Sequence, residues 1–488
     1  MKSLTQADST LPQEIVNLII DEVANNLKPE REALAALRAC SLVSKSFHYP
    51  SRRYLFSEIK FIADGFAQKR AARLVQTLNR RSNGDLVLNV RSVTFVLDIP
   101  PTLIQLRYRY QKKGLRGLFS RWQWQQKFLG VKKRFGLLES RVLKLLEVLD
   151  HSELEHFGLV AQAQVLDWGI GNLVTVPAFL QIFSNPNLNS LHFMNITNIP
   201  ESIITDAFFS TNLKELVLCN LTTKRSSSIF SGATTPALAN LLRLEMKRVS
   251  YTALFSILIP FLPPSSPSPY SQIRFAHLKT LSVSIPNGST ETDALWEFIL
   301  GVSPTLETLA LEHHGWPDSG LDPVGSFNLS RLVSLRNFKF SSSSFNTSAD
   351  LESRQSMLTN LLGSATSPTA IETIDILFSL QSVERFKKRH SISIWRTALG
   401  WSTMDEKMSS GIFPELQKVN LSVDVFYHDP TFDVTEYRPE YSREYARTIL
   451  PAVATISTID FHLDVHSSGY GAHQMGYQLT GANYCLTS

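Results

Sequence analysis

One short pattern recurs along most of this chain and limits what it can fold into. In 187–197 (NLNSLHFMNIT), 212–222 (NLKELVLCNLT) and 240–250 (NLLRLEMKRVS), an apolar residue is followed three positions later by a second and two positions later by a third. The triplets are Leu188-Leu191-Phe193, Leu213-Leu216-Leu218 and Leu241-Leu244-Met246. They recur downstream as Leu278-Leu281-Val283, Leu306-Leu309-Leu311, Leu335-Phe338-Phe340, Ile371-Ile374-Ile376, Leu416-Val419-Leu421 and Ile456-Ile459-Phe461. Val90-Val93-Phe95 and Leu154-Phe157-Leu159 precede them. The last two members of each triplet alternate with polar residues, which predicts a short strand with one apolar face. No such unit can bury that face alone, so the units must stack on one another. Unrelated strands in an ordinary α/β domain would not be expected to repeat the spacing in this order.

The chain between triplets varies in length. Residues 137–152 place Leu138, Val142, Leu145, Leu146 and Leu149 on one helical face, and 293–304 and 357–365 read as further helical returns. Ser/Pro/Gly-rich stretches at 226–237, 260–272 and 341–350 read as exposed loops. The pattern resembles degenerate leucine-rich repeats, with Asn195 and Asn220 one position short of where that motif's asparagine stands.

Residues 8–60 differ from the rest. Thr10-Leu11-Pro12-Gln13 fits a capping box with Thr10 as N-cap, followed by Ile15, Val16, Ile19, Ile20 and Val23 at helical spacing. A break at Asn25-Asn26-Leu27-Lys28-Pro29-Glu30 leads to a second helical run over 31–59. So small a unit carries more apolar residues than its own core can use, and the surplus must face something. Leu11–Val23, Leu37–Phe47 and Pro50–Ile59 resemble an F-box of the large fungal family, with Phe47 where many members carry Trp. The resemblance implies docking on the Skp adaptor, and through it a cullin, for ubiquitin-dependent proteolysis. It implies Leu11, Pro12, Ile15, Ile19, Leu42, Val43 and Phe47 as the adaptor-binding residues. The fold class expected is α/β: a small all-α F-box at 8–60, then a leucine-rich-repeat-like solenoid at 61–488 with a basic insertion near 105–135.

In such a solenoid the strand residues pointing away from the core form the face that takes a target protein. The candidates are His192, Glu215, Arg243, Glu245, Lys247, Glu312, Lys339, Asp375 and Lys418. They are mixed in sign, so they predict no single charge for the target. Residues 107–134 are different, with ten Lys or Arg and no Asp or Glu, interleaved with Tyr108, Tyr110, Trp122, Trp124 and Phe128. A nucleic-acid-associated scaffold using this segment is the alternative function.

The 488 residues carry a mild net charge of +5, weaker than a general nucleic-acid binder usually shows. Three widely separated cysteines fit neither a disulfide framework nor a zinc site. With no secretory signal and no apolar run of membrane-spanning length, the cytoplasm or nucleus is expected, and sequons such as Asn195-Ile-Thr should stay unmodified. Nucleophile elbows, zinc-protease motifs and phosphate-binding loops are missing, so no catalytic residue, metal ligand or cofactor is expected.

Overall fold

A computed structural model describes residues 11–26, 30–63, 67–78, 84–97, 144–149, 153–161, 166–168, 181–183, 185–200, 203–204, 212–224, 240–249, 275, 277–286, 289–313, 327–345, 348–382, 400–427 and 449–469. The chain is mixed α/β and falls into two compact units. The first comprises Met1–Val160 and Gly169–Leu191, the second Ala161–Trp168 and His192–Ser488. Neither boundary coincides with the change of pattern near residue 60.

The first unit opens with three helices, α1 (Gln13–Asn26), α2 (Glu30–Val43) and α3 (Lys45–Leu55), each packed on the other two. The sequence pattern gave two helical runs. The second run breaks at Ser44, which is extended and accepts a hydrogen bond from the Phe47 amide, an N-cap arrangement that starts a new helix. The start of α1 also differs from expectation. Thr10 lies outside the described residues, α1 begins at Gln13, and the Ile15 and Val16 amides close on the Pro12 carbonyl at 3.1 and 3.2 Å. Val16, Ile20, Ala33 and Leu37 fill the small core between the helices. Two polar ties hold it. Tyr54 donates to Asp21 at 2.7 Å, and His48 Nδ1 meets the Ser41 carbonyl at 2.9 Å. A carbonyl only accepts, so Nδ1 carries the proton there.

The same unit continues with β1 (Glu58–Ala63), α4 (Ala67–Leu78), α5 (Gly84–Leu88), β2 (Ser92–Leu97) and β3 (His156–Ala161), whose strands are neighbours in chain order. Phe61, Phe95 and Phe157 meet from strand to strand as tilted ring pairs, with centroids 5.6 and 5.8 Å apart. The helix expected over 137–152 is described at 144–149, where Leu145, Leu146 and Leu149 are buried.

The second unit carries β4 (Leu166–Asp167), which pairs with β5 (Ser190–Pro200), followed by β6 (Glu215–Lys224), β7 (Arg243–Lys247), β8 (Thr280–Ser284), β9 (Thr308–His313), β10 (Asn337–Phe345), β11 (Thr373–Ser382), β12 (Lys418–Tyr427) and β13 (Asp460–Gly469). Strands β5 to β13 stand in chain order, and the described pairings from β6 onward are parallel. Their triplets meet in register. Leu216, Leu244, Leu281, Leu309, Phe338, Ile374 and Val419 form one continuous row, and Leu218, Met246, Val283, Leu311, Phe340, Ile376 and Leu421 form the next. Both rows are essentially free of solvent. Parallel strands need a crossover to return the chain, which explains the spacing between triplets. Helices α6 (Ser289–Val302), α7 (Ser348–Gly363), α8 (Gly400–Ser409) and α9 (Pro451–Thr455) occupy four of these returns. Asp405 on α8 accepts from the Ala452 and Val453 amides at 2.8 and 2.9 Å and so caps α9.

Four further features depart from the sequence reading. Residues 341–350, expected as an exposed loop, include the second half of β10 and the start of α7, and Ser342 is buried. Phe56-Ile59-Phe61 is a further triplet, paired with Val93 and Phe95 across β1 and β2. In β13 the residues opposite Val419 and Leu421 are Phe461 and Leu463, so the true register lies two residues beyond the expected one. A two-residue slip keeps every side chain on its own face, and an apolar pattern cannot detect it. Finally, Asn195 within β5, Asn220 within β6 and Arg248 just after β7 adopt left-handed backbone (φ 59, 51 and 51°). Asn195 donates to the Ala161 carbonyl at 2.8 Å and Asn220 to Asn195 at 2.9 Å. Asn tolerates this region and its short amide bonds locally, which explains its use at two of the three corners.

Candidate functional site

Two surfaces stand out. The first is on the helices. Seven of the eleven large apolar side chains that are exposed among the described residues lie within residues 11–49: Leu11, Ile15, Leu18, Ile19, Leu42, Val43 and Tyr49. Leu42 and Val43 are 85 and 70% exposed. α1 divides its apolar residues between two sides, Val16 and Ile20 inward, Ile15, Leu18 and Ile19 outward, and Leu11 just before it is exposed as well. Gln13 donates to the Ser46 carbonyl at 3.1 Å, which ties the start of α1 to the junction of α2 and α3. The exposed residues at the start of α1 and the end of α2 therefore flank one hydrogen bond. Of the seven adaptor-binding candidates, six are exposed and Phe47 is half-buried. Leu18 and Tyr49 were not among them. Leu18 could have been found, since it follows Ile15 at i+3 on one helix face.

The second surface is the polar face of the strands in the second unit. The side chains between the apolar rows form ion pairs both across strands and along β7. Glu215 meets His192 at 3.4 Å and Arg243 at 3.1 Å. Arg243 and Lys247 both reach Glu245, at 3.1 and 2.9 Å. Cys219 Sγ lies 3.8 Å from the same carboxylate. Five of the nine target-binding candidates are thus one connected cluster. Burial pushes the Glu245 carboxyl up, but Lys247 and Arg243 outweigh it and hold the group below its ordinary value. Further along, Lys339 pairs with Asp375 at 2.9 Å, and Asn420 donates to the same Asp375 at 2.6 Å. Glu312 is half-buried at the end of β9. Lys418 is exposed and makes no ion pair among the described residues.

A buried polar contact lies elsewhere in this unit. Arg354 on α7 approaches His313 Nε2 at 3.0 Å, and burial lowers its guanidinium to about 10. Among the described residues no three His, Cys, Asp or Glu gather where they could hold a metal ion, and no helix is long and apolar enough to cross a membrane. The basic segment 107–134 lies outside the described residues. A scan against protein-family models and a search of curated proteins found no match for this chain.

Proposed function

We propose that this chain is the target-recognition adaptor of a Skp–cullin–F-box ubiquitin ligase, with α1 to α3 as the F-box and the stacked strands as a leucine-rich-repeat-like solenoid. The observation that carries the reading is the concentration of exposed apolar side chains on three short helices. Monomeric proteins rarely leave such a group uncovered, and where they do it marks an interaction site. Leu11, Pro12, Ile15, Ile19, Leu42 and Val43 then contact the Skp adaptor, while the half-buried Phe47 supports them from within. The polar strand face holds a protein target. The chain itself performs no covalent chemistry; it raises the effective concentration of a target lysine beside the ubiquitin carrier.

Capture of purified Skp adaptor by the full chain tests this, with Ile15→Asp/Leu42→Asp as the comparison. Both residues are exposed, so the double variant should fold. A charge placed in an apolar interface should weaken capture by at least about thirtyfold. Failure of the wild type to capture the adaptor overturns the reading.

A further inference from the structure

Among the described residues the sheet ends at β13, which pairs with β12 on one side and with no strand on the other. The Asp460 amide donates to the Gln417 carbonyl at 2.8 Å, so the backbone groups of the even-numbered residues of β13 turn toward β12. Those of Phe461, Leu463 and Val465 turn the other way, along an edge that can template another strand. The apolar layer is open at the same place. Phe338, Ile374 and Val419 are sealed, whereas Phe461, the next member of their row, is part-exposed.

The polar face of β13 carries the positions Asp460, His462, Asp464 and His466, acid and imidazole in strict alternation. Asp460 and His462 are exposed, and His462 Nε2 lies 2.9 Å from the Asp460 carboxylate. This order is complementary to itself when the strand meets its own copy antiparallel. With Leu463 opposite Leu463, Asp460 faces His466 and His462 faces Asp464, and symmetry repeats both pairs. Phe461 then faces Val465. A shift of two residues sets like against like: Asp460 against Asp464 in one direction, His462 against His466 in the other. A shift of one residue turns the polar face against the apolar one. The sequence of this edge therefore selects a single register.

We infer that a second copy of this chain pairs with the edge of β13 in that register, antiparallel and about a two-fold axis at Leu463. The backbone groups of Phe461, Leu463 and Val465 form about six hydrogen bonds across the axis. The acid and imidazole positions fall at the non-hydrogen-bonded sites, where side chains approach most closely. Each acidic position then has an imidazole beside it both along its own strand and across the axis. The new contacts extend the Asp460–His462 pair rather than break it. An imidazole can hydrogen-bond a carboxylate when neutral and form an ion pair with it when protonated. On the apolar side, Leu463 carries the row of Leu421 into the second copy, and the second copy's Val465 stands opposite Phe461. One strand pair is a small interface, so the association is reversible and follows concentration. The inference does not depend on the ligase reading.

Sedimentation velocity of the full chain from about 1 to about 100 µM tests it, and the wild type should pass from monomer to dimer over that range. His462→Asp sets a carboxylate against Asp464 of the second copy at both symmetric positions, and should weaken association at least about tenfold. His462→Asp/Asp464→His restores an acid opposite an imidazole at every pair, and should return association to within about threefold of the wild type. Thermal unfolding of the same samples checks that each variant is folded. A wild type that stays monomeric throughout overturns the inference. So does a dimer indifferent to His462→Asp, because its contact then lies elsewhere. A double variant that associates no better than His462→Asp overturns it as well, since the loss would not come from the facing pairs.

Discussion

The helices α1 to α3 and the strands β6 to β13 handle apolar residues in opposite ways. Along the strands nearly every triplet residue is sealed between neighbours, and what remains outside is polar and largely paired. On the helices a thin core of four residues suffices, and seven large apolar side chains stay in water. A parallel sheet covered by its own returns completes itself as it grows. A three-helix unit of this size cannot, and one side of it stays uncovered.

This contrast can be broken by paired truncations. Phe338→Ala, in the sealed row between Leu309 and Ile374, should destabilise the second unit by about 3–5 kcal/mol. Leu42→Ala, on the exposed face, should cost less than about 0.5 kcal/mol. Denaturant unfolding of both variants checks the difference, and equal losses would mean that Leu42 is already covered.

A smaller effect sharpens the account of the strand face. The Glu245 carboxyl is held below its ordinary value, so its ionised form stabilises the fold above the normal carboxylate range, and that contribution disappears as pH falls through its folded value. Glu245→Gln should cost about 1 kcal/mol near neutrality, with wild type and variant converging in acid. A gap that stays constant from neutral to acidic pH would show that the carboxyl's charge is immaterial.

The smallest effect concerns the corners. Arg248 holds left-handed backbone where β5 and β6 use asparagine, and Arg248→Gly should raise stability by roughly 0.5–1 kcal/mol in thermal unfolding. A lower midpoint would show that the contacts of the Arg248 side chain outweigh its backbone strain.

Much of the strand ladder was legible because one apolar spacing sets both the strand and its partner. The triplet Phe56-Ile59-Phe61 is hidden because Phe56 and Ile59 also complete the F-box resemblance, and one segment can satisfy two patterns. The break at Ser44 was missed because apolar periodicity runs on through a helix junction and only the cap marks it. The candidate residues on the strand face could be named from alternation alone, but their depth could not. That Glu245 lies beneath Arg243 and Lys247 depends on how three neighbouring side chains lean, which no linear pattern records. Asn195 and Asn220 were visible as sequons and as misplaced motif ends, while their left-handed corners belong to the backbone.

At several strand entries two successive amides converge on one carbonyl at the entry of the preceding strand: Leu242 and Arg243 on Lys214, Glu307 and Thr308 on Lys279, Gln417 and Lys418 on Glu372. The acceptors are evenly placed in space but unevenly placed along the chain. Twenty-eight residues separate Lys279 from Glu307, and 45 separate Glu372 from Gln417. Closing the longer return costs less than about 1 kcal/mol more than the shorter. Sequence can therefore be inserted between entries almost without penalty, and a lineage carrying this fold could diversify its surface by lengthening returns while the ladder beneath stays unchanged.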